Sequence, residues 1–116
     1  MYRLFSSCWG SDHIERDFTP VLDRSLGYFC ALEGHQLIGF INIAWDGGIH
    51  AFLLDTCVDP LYRRRGIATK MVRQSLELVE THGVKWVHVD FEPHLEQFYA
   101  KCGFRPTQAG LIRISI

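Results

Sequence analysis

The chain has 116 residues, 47% of them apolar and 22% charged, with a formal net charge of −1. That length predicts one domain over residues 1–116 with a single core, and the composition excludes an intrinsically disordered chain. The near-neutral charge argues against a general nucleic-acid binder.

The first twenty residues contain Asp12, Glu15 and Asp17 and no continuous apolar core, so a signal peptide is not expected. No apolar run reaches the roughly 18 residues of a membrane span, so no membrane partner is expected either. Tyr2–Phe5 reads as a short first strand. Ser11 is a good N-cap, and Asp12 and Glu15 favour the first turn of a short helix that ends before Pro20. Gly27–Leu32 is the next strand. Glu33-Gly34-His35-Gln36 then forms a turn, because Gly34 can take a positive φ. Leu37–Trp45 and Ile49–Val58 are two further strands, joined at Asp46-Gly47-Gly48, the best hairpin signal in the chain. Together these three strands predict an antiparallel meander.

The pattern then changes. Ile67, Ala68, Met71, Val72, Ser75, Leu76 and Val79 recur at helical spacing and define one apolar face. Gly83 supplies the stop. Val84–Phe91 alternates as a strand ended by Glu92-Pro93. Leu95–Lys101 reads as a short helix closed by Gly103. The alternation of Ile112, Ile114 and Ile116 with Arg113 and Ser115 predicts a last strand. The strand–helix–strand unit from about Asp55 to Phe91 implies a right-handed crossover between parallel strands. The class is therefore α/β or α+β, with a mixed, mostly antiparallel sheet and helices on both faces.

The segment Val58-Asp-Pro-Leu-Tyr-Arg-Arg-Arg-Gly-Ile-Ala-Thr69 joins a strand to this helix through a short basic loop. From Leu61 to Leu76 there are five basic residues (Arg63, Arg64, Arg65, Lys70, Arg73) and no acid. Backbone N–H groups and the positive end of the helix dipole converge there, which favours a bound anion, most plausibly a phosphate. A solvated basic helix start is the plainer reading; the glycine and the preceding strand weigh against it. Three arginines can also grip a phosphodiester, but no aromatic residues interleave with them as a stacking platform.

This order of elements, with Val58-x-Pro60, Arg63-x-x-Gly66-x-Ala68 and Phe98-Tyr99-x-Lys101-x-Gly103-Phe104 at these points, resembles the GNAT superfamily of acyl-CoA N-acyltransferases over about residues 26–116. The resemblance implies an N-acetyltransferase that uses acetyl-CoA as co-substrate, needs no metal, and passes the acyl group directly to a small-molecule or peptide amine. Two departures bear on the acceptor side. Only about 25 residues precede the meander, where the family usually has two helices. Glu92 stands where the family often has Asn.

On this reading the N–H groups of Arg64, Arg65, Gly66, Ile67 and Ala68 ring the pyrophosphate, and the Thr69 hydroxyl adds a donor. Arg63 braces the loop, while Arg64, Arg65 or Arg73 meets the ribose phosphate. The resemblance further implies that the Val58 N–H polarises the acyl carbonyl and that Tyr99 faces the sulfur. Proton transfer from an unshifted Tyr to an alkyl thiolate is uphill by about 2 kcal/mol, so Tyr99 acts as a hydrogen-bond donor unless its pKa is lowered. Candidate bases for the amine are Asp55, Asp90, Glu92, His88 and His50. Asp55 stands out because it interrupts an apolar run. Cys57 borders the donor site; a small buried residue accounts for it better than an acyl-enzyme nucleophile. His88-x-Asp90 gives only two potential metal ligands. The cysteines Cys8, Cys30, Cys57 and Cys102 form no C-x-x-C pair and read as reduced thiols of a cytoplasmic protein. The short N-terminal region predicts an open acceptor groove that a second subunit completes. The alternative to an enzyme is a catalytically silent acyl-CoA-binding or regulatory module.

Overall fold

The computed structural model describes residues 3–4 and 17–115. Its elements are α1 (Thr19–Arg24), β1 (Gly27–Glu33), β2 (Gln36–Trp45), β3 (His50–Val58), α2 (Ile67–Glu80), β4 (Trp86–His88) and α3 (Glu96–Lys101), with short 3-10 turns at Pro60–Tyr62 and Pro93–Leu95. The sheet order is β1-β2-β3-β4. β1, β2 and β3 pair antiparallel and β4 joins β3 in parallel, as the meander and crossover predicted.

The hairpin between β2 and β3 closes as its residues dictate. Asp46 Oδ1 accepts the Gly48 N–H at 2.7 Å and the His50 N–H at 3.3 Å, while Gly47 takes φ 83°. A side chain that mimics a backbone turn beside a residue free to adopt positive φ is sufficient for so tight a reversal.

Strand alternation sorts the core into two layers. Ile41, Ile43, Ala51, Leu53 and Val58 pack with Met71, Val72 and Val79 of α2 on one face. Phe40 and Cys57 point the other way and pack with Leu4 and Phe18, near Val21 and Leu22 of α1. Gly39 allows α2 to sit close: a Cβ there would lie 3.1 Å from Ala31 Cβ and 3.3 Å from both Ile67 Cγ2 and Met71 Cε. α2 ends with the Gly83 N–H on Glu80 O (3.3 Å) and the Val84 N–H on Val79 O (3.2 Å), the paired bonds of a glycine C-terminal stop. α3 ends the same way, with Gly103 on Ala100 O (3.0 Å) and Phe104 on Tyr99 O (3.1 Å).

Four expectations need correction or fall outside the description. Arg3 and Leu4 are helical, so Tyr2–Phe5 is not a strand there. Pro20 lies in the first turn of α1, where its missing N–H costs nothing. Ser11, Asp12 and Glu15 lie outside the described residues. The strand expected over Val84–Phe91 is paired only at Trp86–His88, opposite His50–Phe52. The strand expected at the C-terminus is absent over Leu111–Ser115. Leu111, Ile112 and Ile114 are 86%, 84% and 89% exposed. Their alternation fits a strand, but a strand also needs an edge to pair with, and these residues meet none among the described strands. Ile116 lies outside the described residues. Among the described residues no helix is long and apolar enough to cross a membrane.

Candidate active site

The site begins with an irregularity in β3. Asn42 pairs with Leu54 and Phe40 with Cys57, so three steps along β3 answer two along β2. Asp55 takes φ 57°, a conformation that Asp tolerates better than most side chains. This is a β-bulge, which adds one residue and turns everything after it to the opposite face. Leu53 before the bulge and Val58 after it accordingly share the α2 core, though five positions separate them. The apparent misfit of Asp55 in an apolar run thus has a backbone cause.

The bulge parts β3 from the chain that follows β4. A cavity of about 420 Å³ opens between them. Leu53, Asp55 and Thr56 form one wall, and Val89–Glu92 form the other, with Leu95, Tyr99 and Leu111 completing the lining. Tyr99 is only 5% exposed. Phe91 stacks on its ring at a centroid distance of 4.8 Å, and Phe98 and Phe104 meet it edge-on at 4.9 and 5.8 Å. Burial pushes the Tyr99 hydroxyl above the usual tyrosine range; the polar Thr56 side chain opposes this, and Cys102 and Asp90 add to the rise. Tyr99 therefore keeps its proton at neutral pH, as its expected role as a donor requires.

On the far side of Val58 lies the second half of the site. The Arg63 Nε donates to the Val58 carbonyl at 3.0 Å, which ties the loop to the end of β3. Arg64 takes φ 66° and Gly66 φ 79°, two left-handed residues that fold the loop back onto the start of α2. Among the described residues, a Cβ on Gly66 would meet nothing beyond its chain neighbours within 4 Å; it would point into open space. The first main-chain bond of α2 runs from Lys70 N to Gly66 O at 3.0 Å. No described side chain caps this end, and no acid stands in its first turn. The N–H groups of Ile67, Ala68 and Thr69 are those that helix geometry leaves without an intrahelical acceptor. This arrangement fits a pyrophosphate: donors, a positive dipole end and a glycine whose missing side chain leaves room. Arg65 lies over the Tyr62 ring at 5.1 Å, which holds one of the three arginines beside the loop. Between α2 and α3 a recess of about 160 Å³ carries Thr69, Arg73 and Lys101, so Arg73 is placed beside the loop with a second cation.

Cys57 is buried and packed in the layer opposite α2, which agrees with a packing role. Of the five candidate bases, Asp55, Asp90 and Glu92 line the cleft. His50 and His88 do not; the His50 Nδ1 lies 2.9 Å from the His88 Nε2, and Phe52 stacks on His88 at 4.7 Å. Among the described residues no three His, Cys, Asp or Glu side chains group as metal ligands. Sequence reasoning missed Thr56 and Phe91. The one signal for Thr56 was its neighbour Asp55, whose misfit marks the bulge.

A mixed sheet opened by a bulge beside a glycine-capped anion cradle defines the acyl-CoA N-acyltransferase fold. The model of the acetyltransferase (GNAT) family matches residues 1–104, and the chain belongs to that family. The match begins earlier than the expected residue 26 and stops before the exposed tail. An acetyltransferase of this family from Streptococcus pneumoniae TIGR4 superposes with a TM-score of 0.81 at 25% identity, covering 97% of this chain and 86% of that one. A Bacillus anthracis acetyltransferase solved in complex with acetyl coenzyme A superposes with a TM-score of 0.60 at 25% identity, covering 66% of this chain and 45% of that one. Rice (Oryza sativa subsp. japonica) glucosamine 6-phosphate N-acetyltransferase 1 is 39% identical over 59 residues, 49% of this chain and 36% of its own length. The chain spans 19% to 38% of the length of the curated relatives it matches.

Proposed function

We propose that the protein transfers an acetyl group from acetyl-CoA to a primary amine by direct attack. The observation that carries this reading is the continuity of β3. One strand end supplies the cleft wall at Asp55 and Thr56, and three residues after Asp55 it supplies the Val58 carbonyl that anchors the cradle through Arg63. A ligand held by its pyrophosphate at Gly66 can then extend its thioester past Val58 toward Tyr99. The amine nitrogen forms its bond to the carbonyl carbon as the carbon–sulfur bond breaks. The sulfur takes a hydrogen bond from the Tyr99 hydroxyl, and a cleft carboxylate or water takes the amine proton.

The acceptor we propose is a cationic amine. Asp55, Asp90 and Glu92 face one cavity, and no Lys or Arg is among its described lining residues. Carboxylates around a partly desolvated cleft attract cations and repel a sugar phosphate. We also propose a homodimer, since the exposed Leu111, Ile112 and Ile114 give a second chain apolar surface to cover. The free thiols of Cys30 and Cys102 suit a reducing compartment, and the cytoplasm is the location we propose.

Free thiol released from acetyl-CoA is the test, with putrescine, spermidine and glucosamine 6-phosphate as acceptors. Amine-dependent release, faster with the two polyamines, is the expected result. Tight CoA binding without release for any amine would favour the silent binding module instead.

A further inference from the structure

We propose that Phe91 is a positioning residue for acyl transfer: its ring, stacked on that of Tyr99, holds the Tyr99 hydroxyl in place to donate to the departing sulfur. This deepens the acetyl-transfer reading and rests on it. Val87, Val89 and Phe91 occupy alternate positions, and in an extended chain such residues turn to one side. Val87 and Val89 pack against the core that α2 covers. Phe91 ends the row, beyond the residues of β4 that pair with β3. Its larger side chain crosses from the outer wall of the cleft to α3 and meets Tyr99 there.

Three aromatic rings touch Tyr99, and they differ in what they hold it to. Phe98 precedes Tyr99 in α3, and the Phe104 N–H bonds to the Tyr99 carbonyl at 3.1 Å. Both rings meet Tyr99 edge-on and pack against the α2 core. They belong to the same stretch of chain as Tyr99, so they move with it. Phe91 comes from the opposite wall. Its ring lies 4.8 Å from that of Tyr99 at an interplanar angle of 23°, a stacked arrangement that favours aromatic pairs. This contact is what sets the Tyr99 ring relative to the wall that carries Asp90 and Glu92. A rotation about the Tyr99 Cα–Cβ bond displaces the hydroxyl more than the rest of the side chain, because the hydroxyl lies farthest from that axis. Phe91 stands in the way of such a tilt. It also keeps water from the ring, in keeping with the 5% exposure of Tyr99 and its raised hydroxyl pKa.

The test uses Phe91→Leu, which keeps apolar bulk and removes the ring, and Phe91→Tyr, which restores one. Phe91→Met, flexible enough to fill the same gap, gives the same contrast if Phe91→Leu does not fold. The readouts are thiol release from acetyl-CoA with spermidine, calorimetric affinity for CoA, and spectrophotometric titration of the tyrosines, with Tyr99→Phe identifying the Tyr99 step. Phe91→Leu is expected to lower kcat on the order of tenfold, with CoA affinity near wild type. The Tyr99 titration should move to lower pH as water reaches the ring. Phe91→Tyr should recover most of kcat. Phe91→Leu should cost nothing further when added to Tyr99→Phe, since both act through one hydroxyl. An equal loss in that background would overturn the proposal, because Phe91 would then act by packing on the acceptor. An unchanged kcat and titration in Phe91→Leu would also overturn it, as would a loss that Phe91→Tyr fails to restore. A wild-type protein that releases no thiol would overturn the role in transfer; the titration would still decide by itself whether Phe91 shields Tyr99.

Discussion

Tyr99 illustrates how environment assigns a role to a residue. Its burial raises the hydroxyl pKa, which widens the uphill gap to an alkyl thiolate beyond the free-tyrosine value. Full proton donation is therefore disfavoured and hydrogen-bond donation is retained. Tyr99→Phe is expected to lower turnover on the order of a hundredfold, with CoA affinity unchanged by calorimetry. Wild-type turnover in that variant would remove Tyr99 from the reaction. Gly66 carries the complementary demand. Its φ of 79° strains any side chain, and the open space before it is where a phosphate would sit. Gly66→Asp should weaken CoA binding at least about tenfold by combining strain with charge repulsion. Gly66→Ala separates the two effects, because it adds strain without charge; equal losses in both variants would argue against a phosphate at this position.

At the scale of elements, the close approach of α2 to the sheet determines where the cradle stands. Gly39 sits under Ile67 and Met71, with room for no larger side chain. Gly39→Val is expected to cost roughly 1–3 kcal/mol in urea unfolding. It should also weaken CoA binding, since Ile67 opens the helix that presents the donors. Unaltered affinity in a destabilised variant would show that the helix start moves independently of its seat. The elements differ in how legible they were. The meander, α2 and the two glycine stops rest on local signals: Asp46-Gly47-Gly48, a seven-residue apolar face, Gly83 and Gly103. These fix conformation within a few residues. The extent of β4 and the fate of Leu111–Ser115 depend instead on whether a partner edge lies alongside, which alternation in one segment cannot report. Thr56 was hidden for a related reason. Its direction depends on a register shift, and Asp55 was legible as an oddity whose cause, a bulge, was not. The cradle was legible because glycine spacing and basic charge act within a single loop.

For the whole molecule, the perturbed groups define a window of stability in pH. The hydrogen bond from the Thr19 N–H, at 2.9 Å, holds the Asp17 carboxyl below its usual range. The Gly48 N–H does the same for Asp46 against the small opposing effect of burial. A lowered folded-state pKa gives stability that is present above the ordinary carboxylate value and is lost as pH falls through the folded one. At the other end, burial raises the Cys30 and Cys102 thiols and the Tyr99 hydroxyl. Stability from these groups is whole below their ordinary values and declines as pH rises through the raised ones, because the unfolded chain releases those protons first. Urea midpoints should therefore be flat near neutrality, fall below about pH 4, and fall again from about pH 9 upward. A midpoint that keeps rising past pH 10 would contradict the burial of all three groups. The proposed dimer is tested by sedimentation at micromolar concentration, and a monomer throughout would remove it.

β4 is attached to the sheet by three paired residues, whereas β2 is paired along both of its sides. The outer wall of the cleft is thus the part of the sheet with least to lose by detaching. Amide protons from Trp86 to Phe91 should exchange with deuterium well ahead of those in β2. A molecule spanning the gap would act as a rivet between the two walls, so the slowing of that exchange on adding CoA measures how far into the gap the ligand reaches.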